Sequence, residues 1–478
     1  MTSTHQPHYL KKTKIIATLG PSSSTEKIIE AMAEMGVNVF RLNFSHGTHD
    51  THKENIRIIR EIEKKLGTPL GILADLQGPK FRIGAFETGQ ASLKAGQKFS
   101  LDLLEQRGTQ ERVSFLHKNV YSHLKEGSSL LLDDGKIQLK VTKASPQAIE
   151  TVVQTGGLLS DHKGVNIPHD IIPSSALTEK DHADLRFILK QEVEFIALSF
   201  VQSPQDILDL RKLVKNRAQI IAKIEKPQAI DCLEEIITLS DGIMVARGDL
   251  GVELSPENVP ALQKKIVRLC RIHGKAVIVA TQMLESMINS PTPTRAEASD
   301  VATAVYDGAD AVMLSAESAA GHYPLVAVQM MVKIINNVEQ DPWYSKILQT
   351  ATPLIENTIS DAITSASQKL VYDLNAQLIV TFTTTGGTAF REAHKRPPCP
   401  IVGLTRSLPV ARKLTLTWGI IPILLTKEVK DFEQLTTNAV QIVKKHKLAP
   451  KGARIIVTFG VPFGRPGTTN IINVEEAQ

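Results

Sequence analysis

Cysteine is scarce in this chain of 478 residues: Cys232, Cys270 and Cys399 are the only three, and they lie far apart. None has CxxC or metal-ligand spacing, which excludes a disulfide framework and a cysteine-built zinc site. Cys270 falls within an apolar helical pattern and reads as a small buried hydrophobe. No run of about 18 apolar residues exists, so no membrane-spanning helix is expected. The N-terminal stretch MTSTHQPHYLKKTK has no hydrophobic segment of the secretory kind. With an odd cysteine count, this fits a reducing, cytoplasmic setting. Long lysine or arginine blocks are missing and the net charge is only +5, so nucleic acid is not an expected partner. Internal repeats and low-complexity tracts are also lacking. What is present is a composition with 42% apolar and 22% charged residues. That is the balance of a globular protein, and the length suggests about three domains.

The first two-thirds alternates strand-like and helix-like runs. Eight strand candidates stand out: 14–20, 37–45, 70–76, 194–201, 219–225, 242–249, 275–282 and 310–315. Most are short, continuous and β-branched, as strands buried on both faces should be. Ser23 with Glu26 reads as a capping box, with Gly36 ending that helix. Ser203-Pro204 and Ser255-Pro256 open two more helices. Eight alternating units predict a (β/α)8 TIM barrel. One gap interrupts it. The stretch 79–172 carries short strands and frequent glycine, and predicts an inserted small β-barrel, either a lid or a structural insertion. The barrel would then occupy 1–78 and 173–345. A separate C-terminal α/β domain with a largely parallel sheet is predicted over 346–478.

The predicted strands end in charged and hydroxylic residues: Arg41, Asn43 and Ser45; Asp75; Lys223 and Glu225; Arg247 and Asp249; Thr281 and Gln282; Ser315. In a barrel such tips converge on one mouth. Lys223 and Glu225 are two apart and share a strand face. They could form a structural ion pair. Alternatively, Glu225 and Asp249 could share one hard cation, since Mg²⁺ takes one or two protein carboxylates and completes its shell with substrate oxygens and water. Lys223 and Arg41 would then hold anionic oxygens, a combination suited to phosphoryl transfer. Gly248 and Gly251 flank Asp249, where backbone N–H groups could meet a carboxylate or simply form a turn.

RLNFSHG (41–47), DLQGPK (75–80), KIEKP (223–227), ARGDLGVE (246–253), VIVATQMLESM (277–287) and the segment 294–318 together resemble the pyruvate kinase family, in the expected order. The resemblance implies phosphoryl transfer from phosphoenolpyruvate to ADP, with Glu225 and Asp249 as ligands of Mg²⁺ or Mn²⁺. It implies that Lys223 and Arg41 neutralise the moving phosphoryl group, and that Gly248 and Asp249 hold the pyruvate carboxylate. Thr281 would lie beside the carbon to be protonated, with Ser315 further along a proton relay. Asn43, His46, Arg82 and Lys163 would face the nucleotide. A homotetramer is likewise implied by resemblance. Two departures stand out. Leu76 replaces a threonine and Lys80 a glutamate at positions tied to a K⁺ site with Asn43, Ser45 and Asp75. Lys80 would substitute for the monovalent cation, so activity without K⁺ is expected. SAES at 315–318 stands where SGET is usual, with Glu317 kept.

TTTGGT, with Thr383, Thr384, Thr385, Gly386, Gly387 and Thr388, lies between a predicted strand and helix. It reads either as a phosphate cradle or as a plain turn. The family carries a loop for a phosphorylated allosteric effector there, facing a second loop that here contains Gly464 and Gly467. His5, His8, His49 and His52 lack partners at ligand spacing and are expected at the surface. Two other functions fit a barrel: a lyase using Lys223 as a Schiff-base amine, which needs a depressed lysine pKa, and a metabolite sensor without turnover.

Overall fold

The computed structural model describes residues 11–168, 175–350, 356–426, 432–462, 465 and 467–478. Eight parallel strands close into a barrel: Lys14–Thr18, Val39–Asn43, Gly71–Asp75, Phe195–Leu198, Gln219–Ile224, Gly242–Ala246, Ala276–Ala280 and Ala311–Leu314. Each falls within one of the eight runs expected from sequence. The ring shuts where Lys14 pairs with Ala311. Side chains alternate along each strand. Ile16, Val39, Leu73, Ile221, Met244 and Ile278 fill the barrel's interior. Their neighbours Ile15, Phe40, Ile72 and Ile220 pack outward against the helices. The same alternation sends Arg41, Asp75 and Lys223 inward, each two residues beyond an interior apolar side chain, at the C-terminal mouth.

The inserted stretch has its own core around Phe86, Phe99 and Phe115. Its strands form a six-stranded sheet (Val165–Asn166, Ser129–Leu132, Ile137–Ala144, Ala148–Thr155, Lys98–Asp102, Arg112–Ser114) and a two-stranded one (Gln90–Leu93 with Gly157–Ser160). These two sheets wrap one core, in the place where the sequence suggested an inserted small β-barrel. The C-terminal sheet runs Ile420–Leu424, Ile401–Thr405, Leu378–Phe382, Arg454–Gly460, Thr469–Glu476, and only the last pairing is antiparallel. Trp418 is fully buried where this unit meets the barrel's N-terminal end, and its backbone N–H donates to Asp310 at 3.2 Å.

Local signals were met unevenly. Ser203 caps Pro204–Val214, with a capping box completed by Asp206. The Ser23–Glu26 box does not form. Thr25 is the N-cap of Glu26–Glu34, and the Ser23 hydroxyl instead accepts from Gly20 N–H at 3.1 Å, closing the turn after the first strand. Pro256 opens a 3-10 turn, and the α-helix proper starts at Val259. Among the described residues no helix is long and apolar enough to cross a membrane.

Candidate active site

Lys223 sits at the centre of the mouth. Its Nζ lies 2.9 Å from Glu225 Oε1 and 3.2 Å from Asp75 Oδ1, and it donates to Ser199 Oγ at 2.7 Å. Burial alone would lower this lysine's pKa, but the Asp75 and Glu225 carboxylates overcome that and hold it above its ordinary value. The ammonium is therefore charged at neutral pH, which is the wrong state for Schiff-base formation. Arg41 Nε donates to Asp75 Oδ2 at 2.7 Å, and its other end reaches Thr18 Oγ1 at 3.1 Å. Asp75 is thus fully engaged. Burial would raise its pKa, but Lys223 and Arg41 hold it below the usual carboxylate range.

Glu225 is buried, and Phe200 N–H donates to its Oε2 at 2.8 Å. Its Oε1 has no hydrogen bond of good geometry despite the nearby ammonium. Burial pushes the Glu225 pKa up, Lys223 opposes this, and the charge on Asp249 pushes it up further. Two carboxylates close enough to repel would suit a divalent cation that keeps both ionised. Among the described residues no group of three or more His, Cys, Asp or Glu side chains could hold a metal. A cation here would draw its remaining ligands from substrate and water, as Mg²⁺ readily does.

Gly248 and Asp249 are placed differently from expectation. The sixth strand stops at Ala246, and Arg247–Glu253 forms a short helix with both residues in its first turn. Both residues therefore carry first-turn N–H groups that have no intrahelical acceptor. Gly248 N–H donates to Thr281 Oγ1 at 2.8 Å. Thr281 and Gln282 both adopt left-handed backbone, φ 68° and 54°. For a β-branched residue this costs on the order of 1–3 kcal/mol and persists only where the surroundings fix it. The fixing group is Arg247, whose NH2 donates to Thr281 O at 2.7 Å while NH1 pairs with Asp300 at 2.6 Å. Ser315 Oγ is buried without a hydrogen-bond partner, beside a backbone N–H bonded to Glu317 at 2.7 Å.

The remaining expected site residues are spread around the mouth. Asn43 Oδ1 accepts from Ser45 N–H at 3.1 Å. His46 is exposed; burial and then the Arg82 and Arg41 charges lower its pKa. Arg82 NH1 donates to His162 O at 3.1 Å within the inserted unit. Lys163 pairs with Asp133 of the same unit at 2.7 Å, so its ammonium is not drawn into the lysine–carboxylate cluster. Leu76 is buried, and Lys80 Nζ lies 3.5 Å from Asp249 Oδ1. A cavity of about 650 Å³ is lined by Lys80, Gly248, Asp249, Gln282 and, from the inserted unit, Asp134. Of the histidines expected at the surface, His52 departs: it is buried and stacked on Phe44 at 4.2 Å. His49 is exposed as expected and bonds Asp184 at 2.7 Å. His5 and His8 lie outside the described residues. Sequence reasoning missed Ser199. It follows the fourth strand, whose tip was the polar one overlooked.

In the C-terminal unit, Thr383, Thr384, Thr385, Gly387, Thr388 and Gly467 line a cavity of about 620 Å³ together with Arg391, Arg406 and Arg465. Gly386 caps the helix Gly387–His394 at φ 94°, and its N–H donates to Thr383 Oγ1 at 2.9 Å. Thr388 and Thr469 hydroxyls are 2.5 Å apart. Gly464 lies outside the described residues.

A TIM barrel with a lysine–carboxylate mouth, an inserted β unit and a C-terminal α/β unit defines a class of multidomain barrel enzymes with their site at the C-terminal mouth. Comparison with known proteins narrows it. Residues 10–328 match the family model for the pyruvate kinase barrel domain, and 361–475 that for the pyruvate kinase alpha/beta domain. A pyruvate kinase of Methylorubrum extorquens is 47% identical over 97% of both chains. One of Agrobacterium vitis is 47% identical over 98% of both. A crystal structure of a pyruvate kinase from Cryptosporidium parvum superposes with a TM-score of 0.90 at 33% identity, covering 98% of this chain and 96% of that one. The chain belongs to the pyruvate kinase family.

Proposed function

We propose that this protein is a cytoplasmic pyruvate kinase that transfers the phosphoryl group of phosphoenolpyruvate to ADP, giving pyruvate and ATP. The observation that carries this is the charged Lys223 ammonium held between Asp75 and Glu225 at the barrel mouth. Glu225 and Asp249 would hold Mg²⁺ or Mn²⁺, which when bound supplies Lewis-acid charge to phosphoryl and carboxylate oxygens. Lys223 and Arg41 place two fixed positive charges where the phosphoryl group passes. Because both are already anchored, they need little reorganisation during transfer. The N–H groups at the start of the helix Arg247–Glu253 orient the substrate carboxylate. The Thr281 hydroxyl donates to Ala280 O at 2.7 Å and accepts from Gly248 N–H, so it shapes the site beside the enol carbon. Protonation then falls to a water chain that the unpartnered Ser315 hydroxyl could order. Asn43, His46, Arg82 and Lys163 face the nucleotide in this reading.

Two finer readings accompany it. Lys80 replaces a monovalent cation, so K⁺ is not required. The cavity around Thr383–Thr388, rich in hydroxyls and arginine, takes a phosphorylated allosteric effector. A homotetramer is the assembly expected. The deciding experiment is pyruvate release with Mg²⁺, ADP and phosphoenolpyruvate, for wild type and Lys223→Met. The variant should lose about 10²–10³ in kcat, the scale of one preorganised charge. No release from the wild type would favour a sensor. A borohydride-trapped pyruvate adduct at Lys223 would favour a lyase.

A further inference from the structure

Glu253 ends the helix whose first turn carries Gly248 and Asp249. Its side chain is buried, and a single oxygen, Oε1, serves two partners. Asn166 Nδ2, on the last strand of the inserted unit, donates to it at 2.8 Å. Lys226 Nζ, one residue beyond Glu225, lies 2.6 Å away. Both bonds involve an ionised acceptor away from water, where they are strong. Asp249 and Glu253 are four residues apart, one turn along the same helix. Gly135 of the inserted unit faces the same helix, since a Cβ added there would stand 3.8 Å from Val252 Cγ1. Lys226 also lies 5.8 Å above the Phe200 ring, and Phe200 N–H is the donor that holds Glu225.

We propose that Glu253 is a positioning residue that couples the seating of the inserted unit to the Glu225–Asp249 pair. Lifting the unit breaks the Asn166 bond and loosens the carboxylate that restrains Lys226. It also frees the turn that presents Asp249. Cation binding between Glu225 and Asp249 therefore tightens the inserted unit, and loss of Glu253 uncouples the two. The inference rests on reading Glu225 and Asp249 as cation ligands.

The test is hydrogen exchange across residues 79–168 with and without Mn²⁺, alongside Mn²⁺ affinity from water proton relaxation. In the wild type, Mn²⁺ should slow exchange in the inserted unit. Asn166→Ala should lose that protection and, because the coupling is reciprocal, bind Mn²⁺ more weakly by the same factor. Glu253→Gln should lose the protection and bind Mn²⁺ about 10–100-fold more weakly, the usual cost of disturbing a ligand's support. Glu253→Asp, which keeps the charge, should recover part of the affinity. Undiminished protection in Asn166→Ala would overturn the coupling, and that variant removes no charge and stays testable if Glu253→Gln folds poorly. Mn²⁺ affinity unchanged by Glu225→Gln would instead sink the ligand assignment on which the coupling depends.

Discussion

Arg412 of the C-terminal unit and Glu63 of the barrel helix His49–Leu66 form a buried fork, with Arg412 Nε 2.9 Å from both carboxylate oxygens. Glu194 joins from the barrel at 3.9 Å and is itself paired with Arg60 at 2.7 Å. Leu70 N–H bonds Glu63, and Ile72 N–H bonds Glu194, so the cluster holds the start of the strand that ends at Asp75. Arg406 and Ser407, just before the helix Leu408–Lys413, line the proposed effector cavity.

Removing one member of a buried pair strands its partner, at a cost of about 3–5 kcal/mol. Arg412→Met should therefore shift urea unfolding to lower denaturant. The double change Arg412→Met with Glu63→Gln should recover much of the loss, because no uncompensated charge remains. If the single variant unfolds with the wild type, the pair contributes nothing to docking of the two units.

Lys80 stands 3.5 Å from Asp249, and the Leu76 side chain offers no oxygen. Asp75, the carboxylate that the proposed K⁺ independence concerns, is saturated by Arg41 and Lys223. Turnover in buffer free of K⁺ and Na⁺ should stay above about a tenth of the K⁺ value, a difference of under about 1.4 kcal/mol in the barrier. Lys80→Met should create a dependence on K⁺ or lose activity that K⁺ restores. A wild type that stays inactive until K⁺ is added contradicts the assignment.

The barrel was legible because its strands are buried on both faces and so read as continuous β-branched runs. The mouth was legible because polar residues at strand ends have no packing role. Two kinds of feature were not. Arg247 and Glu253 lie in a motif that was noticed, but nothing in a linear pattern says that one pins the left-handed Thr281 and the other meets Asn166, 87 residues away in sequence. His52 looked like a polar helix residue, and only the fold brings Phe44 against its ring. The helix at Arg247 was hidden by two glycines, which favour a turn in isolation and are helical here only because the flanking strand and Arg247 are fixed.

The loop Thr383–Thr388 divides by partner. Thr383 and Thr388 hydroxyls already bond Gly386 N–H and Thr469, whereas Thr384 and Thr385 are exposed. Replacing Thr384 and Thr385 by alanine should raise the effector concentration for half-activation more than about tenfold, as loss of charge-assisted bonds would, with maximal turnover unchanged. Changes at Thr383 and Thr388 should also lower thermal stability. If every effector response survives all four changes, the regulatory site lies elsewhere.

Glu392 makes a separate prediction about pH. It is fully buried on the helix Gly387–His394, accepts from Ser367 Oγ at 3.0 Å, and leaves Oε1 without a partner. Burial pushes its pKa up to about 8, with Ser367, Thr458 and Lys395 only partly opposing the shift. The native carboxyl is then protonated at pH values where the unfolded chain, with a pKa of about 4.3, has already ionised. The native state binds more protons, so stability falls as pH rises from that unfolded value to about 8 and levels off above it. Glu392→Gln keeps the shape and the bond to Ser367 but cannot ionise. Its unfolding midpoint should match or trail the wild type near pH 5 and exceed it by a growing margin up to pH 8. The two should be compared by urea denaturation across that range. Parallel curves would mean that Glu392 titrates normally and that its carboxylate is matched by a charge the fold supplies.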